Sequence, residues 1–406
     1  RGVTRPPAGT VALVLVGDEL LAGHVADANG PWLGRRVAEA GLRVTSAALV
    51  PDDAAAVARA IEHGLDDART VVVTGGLGPT SDDVTRPALA LLAGDRPAGE
   101  LPNVRGSEPG VRLDLARGTV YAVPGVPGEM RAMAEDQVLP AVLRDVVAAA
   151  GAVPRRATRS LLVVGMREME VAATLASLVA GLPGAVVGRL AYLPRPGEIE
   201  VRIQVTGPDA ERSAAMVAVR ARHLLGDAVA AQDGRLEDAV VATLLSAGAT
   251  AATAESLTGG LLAGALVSVP GASAVLRGGV VAYATDLKAA LLDVPHALLD
   301  RHGPVAAETA AAMAEGVRLR CGSTFGVATT GVAGPGPQDG QPAGRFYVAV
   351  VADDVVRVAS RDPSPHFVAD RETIRRLAVV SGLDLLRRAA DGLGPGPGES
   401  SGPQTR

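Results

Sequence analysis

Short apolar runs alternate with amphipathic stretches along the first third of the chain. Runs of strand length occupy residues 11–16, 44–49, 71–74 and 120–123. Segments with helical spacing of apolar positions separate them, at residues 31–40, 53–63, 84–92 and 128–147. This alternation predicts a mostly parallel, βαβ-wound sheet within residues 1–150. Because right-handed crossovers place loops at the carboxyl ends of such strands, we expect a ligand site at that edge.

Two further units and a tail follow. Residues 155–233 predict a compact α+β connector, with strand 160–164, helix 168–179, a hairpin of 186–192 and 199–205, and helix 209–225. Residues 235–390 predict a second α/β domain, with helix 236–246 and strands 251–254, 280–283, 326–329 and 346–351. The tail, 391–406, is rich in Gly, Pro and Ser and predicts disorder. The chain is therefore predicted to be an α/β protein of three domains.

Composition narrows the classes of partner. The net charge is −5, so no basic face is expected for direct nucleic-acid binding, and a small-molecule substrate is favoured. No apolar run approaches the roughly 20 residues that span a bilayer, which predicts a soluble protein without a membrane partner. The single cysteine excludes an internal disulfide and suits the cytoplasm. Ala- and Val-rich faces favour a homodimer or larger homo-oligomer.

A serine stands at a strand-to-helix turn in the C-terminal unit. The segment 253–260 follows a strand and opens a helix over residues 261–267. Unpaired N–H groups and the helix dipole would stabilise an oxyanion at Ser256, and Gly259 and Gly260 would let a substrate approach the backbone. The alternative is that Ser256 or Thr258 is simply the helix N-cap.

Tyr283 and Lys288 are expected at the same sheet edge as Ser256. Tyr283 ends the next predicted strand, and Lys288 lies in the first turn of the helix after it. Lys288 is the one lysine among 39 basic residues. A desolvated lysine loses its proton more readily, so a Ser–Lys pair assisted by a tyrosine hydroxyl can transfer acyl groups without histidine. The alternative is a solvated Lys288 and a half-buried Tyr283 without catalytic roles.

A third strand of this unit runs into a glycine-rich turn at residues 329–335. Its N–H groups can face an anion such as a phosphate. The expected substrate-binding residues are Glu255, Gly259, Gly260, Arg277, Gly331 and Gly334.

The N-terminal unit carries glycine-rich turns after its own strands, at residues 17–21, 74–83 and 124–129. Glycines allow close backbone approach to phosphate, and Asp82 and Asp83 are suited to hold a divalent metal or orient water. The alternative is ordinary turns, with Asp82 as a helix cap. The expected nucleotide-binding residues are Gly17, Asp18, Glu19, Thr74, Gly75, Gly76, Gly78 and Gly125.

The C-terminal motifs resemble the C-terminal domain of the CinA (competence/damage-inducible protein A) family. The matching segments are 254–260, 271–273, 277–283, Lys288, 302–303 and 330–335. The resemblance implies hydrolysis of nicotinamide mononucleotide to nicotinic acid mononucleotide and ammonia, without a cofactor. It further implies Ser256 as nucleophile, Lys288 and Tyr283 as its activating partners, and Thr330 as a substrate-orienting or oxyanion group. The chain departs from the family pattern at Leu257, where cysteine is common, and in the loop 334–340.

The N-terminal motifs resemble the molybdopterin-binding fold of MogA and MoaB as it occurs in CinA proteins. In some members this domain is similar to a metal-dependent ADP-ribose pyrophosphatase, which implies that Asp82 and Asp83 lie near a diphosphate. Between Leu92 and Leu101 this chain has only a short link where the family has a longer helical segment.

Three functions follow from these observations. The first is an amidase of nicotinamide mononucleotide with an additional N-terminal pyrophosphatase activity. The second is a non-catalytic pterin- or nucleotide-binding protein, which has no need for the pair of Ser256 and Lys288. The third, suggested by the family's name, is a role in DNA uptake or repair, against which the acidic charge balance argues.

Overall fold

The structure, a computed structural model, describes residues 6–151, 155–178, 187–353, 355–363, 370–392 and 399–401. It contains two compact units, Arg1–Ala157 with Val205–Glu211, and Thr158–Gln204 with Arg212–Arg406. Both are mixed α/β structures, as the sequence predicts. No helix within the described ranges is long and apolar enough to cross a membrane.

The first unit is built on a six-stranded sheet in the order β2-β1-β3-β6-β5-β4. Its strands are β1 (Thr10–Val16), β2 (Arg43–Val50), β3 (Thr70–Thr74), β4 (Gly99–Leu101), β5 (Gly110–Asp114) and β6 (Thr119–Val123). The four strands predicted from apolar runs pair in parallel. The antiparallel strands β4 and β5 were not predicted, because they are short and contain no continuous apolar run.

Helices cover both faces of this sheet. They are α1 (Asp18–Leu21), α2 (Asn29–Glu39), α3 (Ala54–Asp67), α4 (Thr85–Ala93), α5 (Pro127–Met133) and α6 (Leu139–Ala150). A single π-helical segment, Ala134–Val138, joins the last two, so the helix predicted over 128–147 is present with this irregularity. One core contains β1 and β3 residues packed on α3, and the other contains Tyr121 packed on α5 and α6. The loops after β1, β3 and β6 are thereby held at one edge.

The chain also forms a four-stranded sheet in the order β10-β7-β9-β8. Most residues of this sheet belong to the second unit. Its elements are β7 (Arg156–Val164), α7 (Glu168–Leu175), β8 (Val187–Arg195), β9 (Glu198–Thr206), α8 (Ala210–Leu225) and β10 (Val229–Gln232). The predicted strands and helices of 155–233 are present, but the helix predicted over 168–179 ends at Leu175 and residues 176–178 form a turn. Residues 179 and 186, at the ends of two predicted elements, lie outside the described ranges.

The rest of the second unit is a six-stranded sheet in the order β12-β11-β13-β14-β15-β16. Its strands are β11 (Ala251–Glu255), β12 (Leu276–Val281), β13 (Phe325–Gly331), β14 (Phe346–Ala352), β15 (Val355–Arg361) and β16 (Glu399–Ser401). Strand β11 pairs in parallel with β12 and β13, whereas β14, β15 and β16 pair antiparallel. Of the predicted disordered tail, Glu399–Ser401 form β16, and residues 393–398 and 402–406 lie outside the described ranges.

Six helices complete the second unit. They are α9 (Leu236–Ser246), α10 (Leu261–Val267), α11 (Thr285–Leu292), α12 (His296–His302), α13 (Ala307–Cys321) and α14 (Arg371–Ala390). One core joins Leu162 and Val164 of β7 to α9, β14 and the buried face of α14. A second core packs α13 against the other face of the sheet. Helix α14 therefore lies against the strands that carry the predicted catalytic residues.

Candidate active site

Ser256 lies at the carboxyl edge of the C-terminal sheet, as the sequence predicts. It follows β11 directly, and its N–H donates to the Thr329 carbonyl of the neighbouring β13 at 2.9 Å. The residue is 8% exposed. Its backbone is thus fixed at the end of two parallel strands, β11 and β13.

The start of α10 is occupied by Glu255, which corrects the expectation for this helix terminus. The carboxylate of Glu255 accepts from the N–H groups of Gly260, Leu262 and Ala263 at 2.9, 3.0 and 2.8 Å. Glu255 is 1% exposed. The helix N–H groups are therefore satisfied by a buried carboxylate, and they are not free to stabilise an oxyanion at Ser256. Glu255 was expected to bind substrate, but these three hydrogen bonds show that its carboxylate caps the helix instead.

The structure brings Lys288 to Ser256. Lys288 Nζ lies 3.1 Å from Ser256 Oγ, and it donates to the Ala282 carbonyl at 2.8 Å. Lys288 is 1% exposed, although its neighbour on the helix, Asp286, is exposed. The single lysine of the chain is thus buried and held against the proposed nucleophile.

Burial changes the acidity of this amine. It lowers the pKa of Lys288 from 10.5 to about 8, and the negative charge of Asp339 acts in the opposite direction. The ammonium form is disfavoured because it loses hydration in the interior. An appreciable share of Lys288 is therefore neutral near physiological pH and can accept a proton.

Tyr283 lies apart from the pair. It follows β12 rather than ending it, and it is 59% exposed. Its hydroxyl accepts from Arg371 Nη2 at 2.9 Å, and Arg371 Nη1 donates to the Gly334 carbonyl at 2.9 Å. Within the hydrogen bonds of the described residues, Tyr283 contacts neither Ser256 nor Lys288. The structure therefore places Tyr283 on the rim of the site, tied to the glycine-rich loop.

Thr330 and its loop lie next to Ser256 along β13. Thr330 is buried, and its hydroxyl donates to the Pro304 carbonyl at 2.6 Å. A Cβ on Gly331 would lie 2.5 Å from the Phe346 Cβ, so packing against β14 requires glycine there. Gly334 has a φ of +90° and carries the carbonyl that Arg371 binds. In this geometry Thr330 orders the loop rather than presenting a free hydroxyl.

Arg277 does not reach the site. It lies near the start of β12, where that strand pairs with the first residues of β11. Its Nε donates to the Cys321 carbonyl at the end of α13. Since Ser256 follows the far end of β11, about four residues or roughly 13 Å of strand separate them. The expectation that Arg277 binds substrate beside Ser256 is corrected accordingly.

Gly259 and Gly260 shape the turn between Ser256 and α10. Their φ angles are +59° and +95°, in the left-handed region that favours glycine. The Gly259 N–H donates to the Ser256 carbonyl at 3.1 Å. The structure therefore explains both glycines by the tight turn that they form behind the nucleophile.

The N-terminal unit holds a cavity of about 550 Å³ at the carboxyl ends of β1, β3 and β6. It brings together nine of the predicted residues: Gly17, Glu19, Thr74, Gly75, Gly76, Gly78, Asp82, Asp83 and Gly125. Asp18 is the exception, because it is not part of the lining and exchanges hydrogen bonds with the Asp52 backbone and side chain. The predicted loops thus converge on one cavity.

This cavity is acidic. Burial raises the pKa of Asp52, and the nearby negative charges of Asp18, Glu19 and Asp82 raise it further, against a hydrogen bond from the Asp18 N–H. Burial also acts to raise the pKa of Asp83, but hydrogen bonds from the Thr80 side chain and backbone outweigh it and lower that pKa. The Asp83 carboxylate therefore stabilises the turn that begins at Thr80.

The carboxylates do not form a prearranged metal site. Among the residues that the structure describes, no group of three or more His, Cys, Asp or Glu side chains is arranged to hold a metal ion. Asp82 is exposed, and Asp83 already accepts two hydrogen bonds from Thr80. The protein groups at this cavity thus do not fit a metal by themselves.

Known protein families match a segment of each unit. The CinA C-terminal domain family matches residues 233–390, and the probable molybdopterin binding domain family matches residues 12–144. A CinA-like protein of Frankia casuarinae is 42% identical, over 94% of this chain and 96% of the relative. The chain belongs to the CinA-like family.

A second relative and a solved structure are also similar to this chain. A CinA-like protein of Geobacter metallireducens is 37% identical, over 93% of this chain and 98% of the relative. The crystal structure of competence/damage inducible protein CihA from Agrobacterium tumefaciens is 35% identical. It covers 38% of this chain and 93% of its own, with a TM-score of 0.36.

Two arginines of this CinA-like chain were not predicted from the sequence. Arg371, at the start of α14, joins Tyr283 to Gly334. Arg375, one turn later, donates from Nε to the Leu257 carbonyl at 3.1 Å and from Nη2 to the Thr258 carbonyl at 2.7 Å. In a chain with so many arginines no local motif distinguishes these two, because Tyr283 and Thr258 lie more than 80 residues away in sequence.

Asn29 was missed in the N-terminal unit. Its amide donates to the Gly125 carbonyl at 2.7 Å and to the Thr74 hydroxyl at 3.2 Å. The Thr74 hydroxyl donates in turn to the Pro124 carbonyl at 3.0 Å. Asn29 therefore ties the loops after β3 and β6 together beside the cavity. Its only signal in the sequence is its position at the start of α2.

Proposed function

We propose that the C-terminal part of this CinA-like chain hydrolyses the carboxamide of nicotinamide mononucleotide, giving nicotinic acid mononucleotide and ammonia. The observation that carries the proposal is the 3.1 Å contact between the buried Lys288 amine and the Ser256 hydroxyl. A protein that only binds a ligand gains nothing from burying an ammonium group at a cost in solvation. A neutral amine beside a hydroxyl is instead the arrangement that activates a nucleophile.

The reaction takes two acyl-transfer steps. Neutral Lys288 accepts the Ser256 proton as Oγ bonds to the carboxamide carbon. The resulting ammonium returns the proton to the nitrogen as the carbon–nitrogen bond breaks, so ammonia leaves and an acyl-serine remains. Water then attacks the ester while Lys288 again takes a proton. Collapse of this second intermediate returns the proton to Ser256 Oγ and releases the acid.

The Ala282 carbonyl supports this role of Lys288. It accepts one N–H of the amine at 2.8 Å, which restricts rotation about the last side-chain bond. The lone pair of the neutral amine is then directed away from this carbonyl and available to Ser256. Arginine cannot replace Lys288 here, because its guanidinium does not lose its proton in proteins.

A nucleotide suits the rim of the site. Arg371 is exposed, and its hydrogen-bond partners in the described part of the chain, Tyr283 and the Gly334 carbonyl, are both uncharged. Its positive charge therefore remains available to a phosphate. We assign Arg371 and Tyr283 to binding the phosphate-bearing end of the substrate, with Gly334 in the same loop.

The N-terminal cavity supports a second proposal, binding of a nucleotide or pterin by the first unit. Its volume of about 550 Å³ suits a ligand of that size, and glycines of three loops line it. Because the protein groups form no metal site by themselves, we derive no pyrophosphatase step through a metal. Turnover of ADP-ribose with added divalent metal would extend this proposal from binding to catalysis.

Product analysis tests the main proposal. Ammonia release from nicotinamide mononucleotide is measured for wild type, Ser256→Ala and Lys288→Arg, with ADP-ribose and other pyridine nucleotides as further substrates. Ser268→Ala is the matched control, since among the described residues the hydroxyl of this exposed serine bonds to the Ala265 carbonyl and to Arg235. We expect both site variants to lose activity and the control to keep it. Full activity in both site variants would refute the mechanism.

A further inference from the structure

The turn that follows Ser256 has a fixed backbone. The Gly259 N–H donates to the Ser256 carbonyl at 3.1 Å, and the Leu261 N–H donates to the Thr258 carbonyl at 3.3 Å. Arg375 adds two hydrogen bonds from the outside, to the Leu257 and Thr258 carbonyls. Each carbonyl of the three-residue segment from Ser256 to Thr258 is thereby held by a donor.

Holding the carbonyls also sets the direction of the N–H groups. In a trans peptide the N–H points opposite to the carbonyl of the same peptide plane. The bond to the Ser256 carbonyl therefore orients the Leu257 N–H, and the Arg375 bond to the Leu257 carbonyl orients the Thr258 N–H away from Arg375. In the part of the chain that the structure describes, neither of these two N–H groups has a hydrogen-bond acceptor.

Two fixed N–H groups without acceptors, next to a nucleophilic hydroxyl, are suited to stabilise an oxyanion. The helix N-terminus does not serve this purpose, because Glu255 occupies it. The Ser256 N–H does not serve it either, because that group donates to the Thr329 carbonyl. The Leu257 and Thr258 N–H groups are the remaining backbone donors of this turn.

Arg375 has a rigid support. The residue before it, Ile374, is buried, as are Ala378 and Val379 on the next turn of α14. Gly382 of the same helix lies beside Leu262 of α10, where a Cβ would be in ordinary van der Waals contact with the leucine methyls at 3.5 Å. The guanidinium reaches its two carbonyls through two different nitrogens, Nε and Nη2, which a lysine amine cannot reproduce.

We propose that Arg375 is a positioning residue that orients the peptide between Leu257 and Thr258, so that the Leu257 and Thr258 N–H groups form the oxyanion hole for acyl transfer to Ser256. This inference rests on the proposed hydrolase function. Arg375 acts through the backbone and does not contact the substrate. Its loss lowers the rate of the chemical step and leaves ground-state binding of the substrate largely intact.

The test uses the full chain with Arg375→Ala and Arg375→Lys. Loss of an oxyanion donor lowers kcat by about 100-fold or more, so we expect a decrease of about that size in Arg375→Ala with KM changed less than about threefold. We expect Arg375→Lys to recover only a small part of the rate. Added guanidinium should restore kcat in Arg375→Ala, whereas methylammonium should not. Arg320→Ala is the matched control, because the Arg320 side chain is exposed and, within the described ranges, pairs with Asp293 alone.

A second readout separates this inference from the proposed substrate. A fluorophosphonate labels an activated serine, as the Ser256 oxygen–phosphorus bond forms, fluoride leaves and Lys288 takes the proton. We expect wild type to be labelled at Ser256, and Arg375→Ala to be labelled about 100-fold more slowly. If labelling follows this pattern without ammonia release from any amide, the inference stands and the proposed substrate is wrong.

Two results would overturn the inference. One is wild-type kcat and labelling in a folded Arg375→Ala protein, with Ser256→Ala inactive. The other is a loss of activity in Arg375→Ala that comes with a cooperative unfolding temperature far below wild type and that guanidinium does not restore. The second result would assign Arg375 to stability alone.

Discussion

The two units place glycine-rich loops at the carboxyl ends of parallel strands, but they prepare those edges differently. In the C-terminal unit one buried amine lies against one hydroxyl, and the buried carboxylate of Glu255 accepts from the start of the next helix. In the N-terminal unit the loops line an open acidic cavity. One of its carboxylates, Asp83, accepts hydrogen bonds from Thr80 of its own turn. The polar side chains are thus concentrated on one hydroxyl in the C-terminal unit and spread around a cavity in the N-terminal unit.

The largest expected effect separates the two sites by activity. Lys288→Met should lower amidase activity by about 10³-fold, because the general base is lost. Binding of a nucleotide by the N-terminal unit, measured by calorimetry, should be unchanged. A parallel loss of binding would show that the substitution disrupts the whole chain, and an active Lys288→Met would contradict the assigned base.

The pH dependence of the amidase is the next largest effect. Lys288 acts in its neutral form, and burial lowers its pKa to about 8. Activity should therefore rise with pH, by roughly 50-fold between pH 6 and pH 8, and level off above about pH 9. Measuring kcat/KM across this range checks the expectation. A rate that falls with increasing pH would assign the opposite protonation state.

A backbone substitution should act only on the first unit. Gly75 has a φ of +103°, and a Cβ there would lie 2.5 Å from the Val16 carbonyl oxygen. Gly75→Ala should cost about 2 kcal/mol of stability in that unit and weaken ligand binding at the cavity. Thermal unfolding and calorimetry measure both effects. Amidase activity should stay at the wild-type level, and its loss would contradict the independence of the two sites.

The smallest expected effect is a gain in stability. The pKa of Lys288 falls from 10.5 in an unfolded chain to about 8 in the folded one, so the folded state disfavours the proton. This penalty is fully present below about pH 8 and disappears as pH rises through 10.5. It corresponds to at most about 3 kcal/mol, and the hydrogen bonds of the amine offset part of it.

Lys288→Met should therefore be more stable than wild type at pH 7, by about 1 kcal/mol. The difference should shrink as pH rises toward 10.5. Denaturant titrations at pH 7 and pH 10 measure it. A variant that is less stable at pH 7 would show that the amine contributes more through its contacts than its burial costs.

Much of the fold could be predicted because long apolar runs reveal buried strands. The runs at β1 and β3 are buried along their whole length, so the sequence signal and the structure coincide. Strands β4 and β5 were missed because they are only three and five residues long and each has few apolar side chains. They form strands because β4 pairs with β5 and β5 pairs with β6, and the local sequence does not reveal this pairing.

The site was predictable where chemistry depends on rare residue types. A single lysine near a serine turn was visible in the sequence, and the structure brings the two together. The role of Glu255 was not visible, because a carboxylate before two glycines fits a binding site as well as a helix cap. Arg375 was not visible either, because its partners are backbone carbonyls that only the folded chain brings near α14.

The most direct test uses the fact that the chain has one lysine. With ¹³C- or ¹⁵N-labelled lysine, the NMR signal of Lys288 needs no assignment among others, and its titration reports the pKa of the proposed base. We predict a midpoint near pH 8 that shifts in Ser256→Ala. A midpoint near the ordinary 10.5, indifferent to Ser256, would contradict the claim that a neutral buried amine activates this serine.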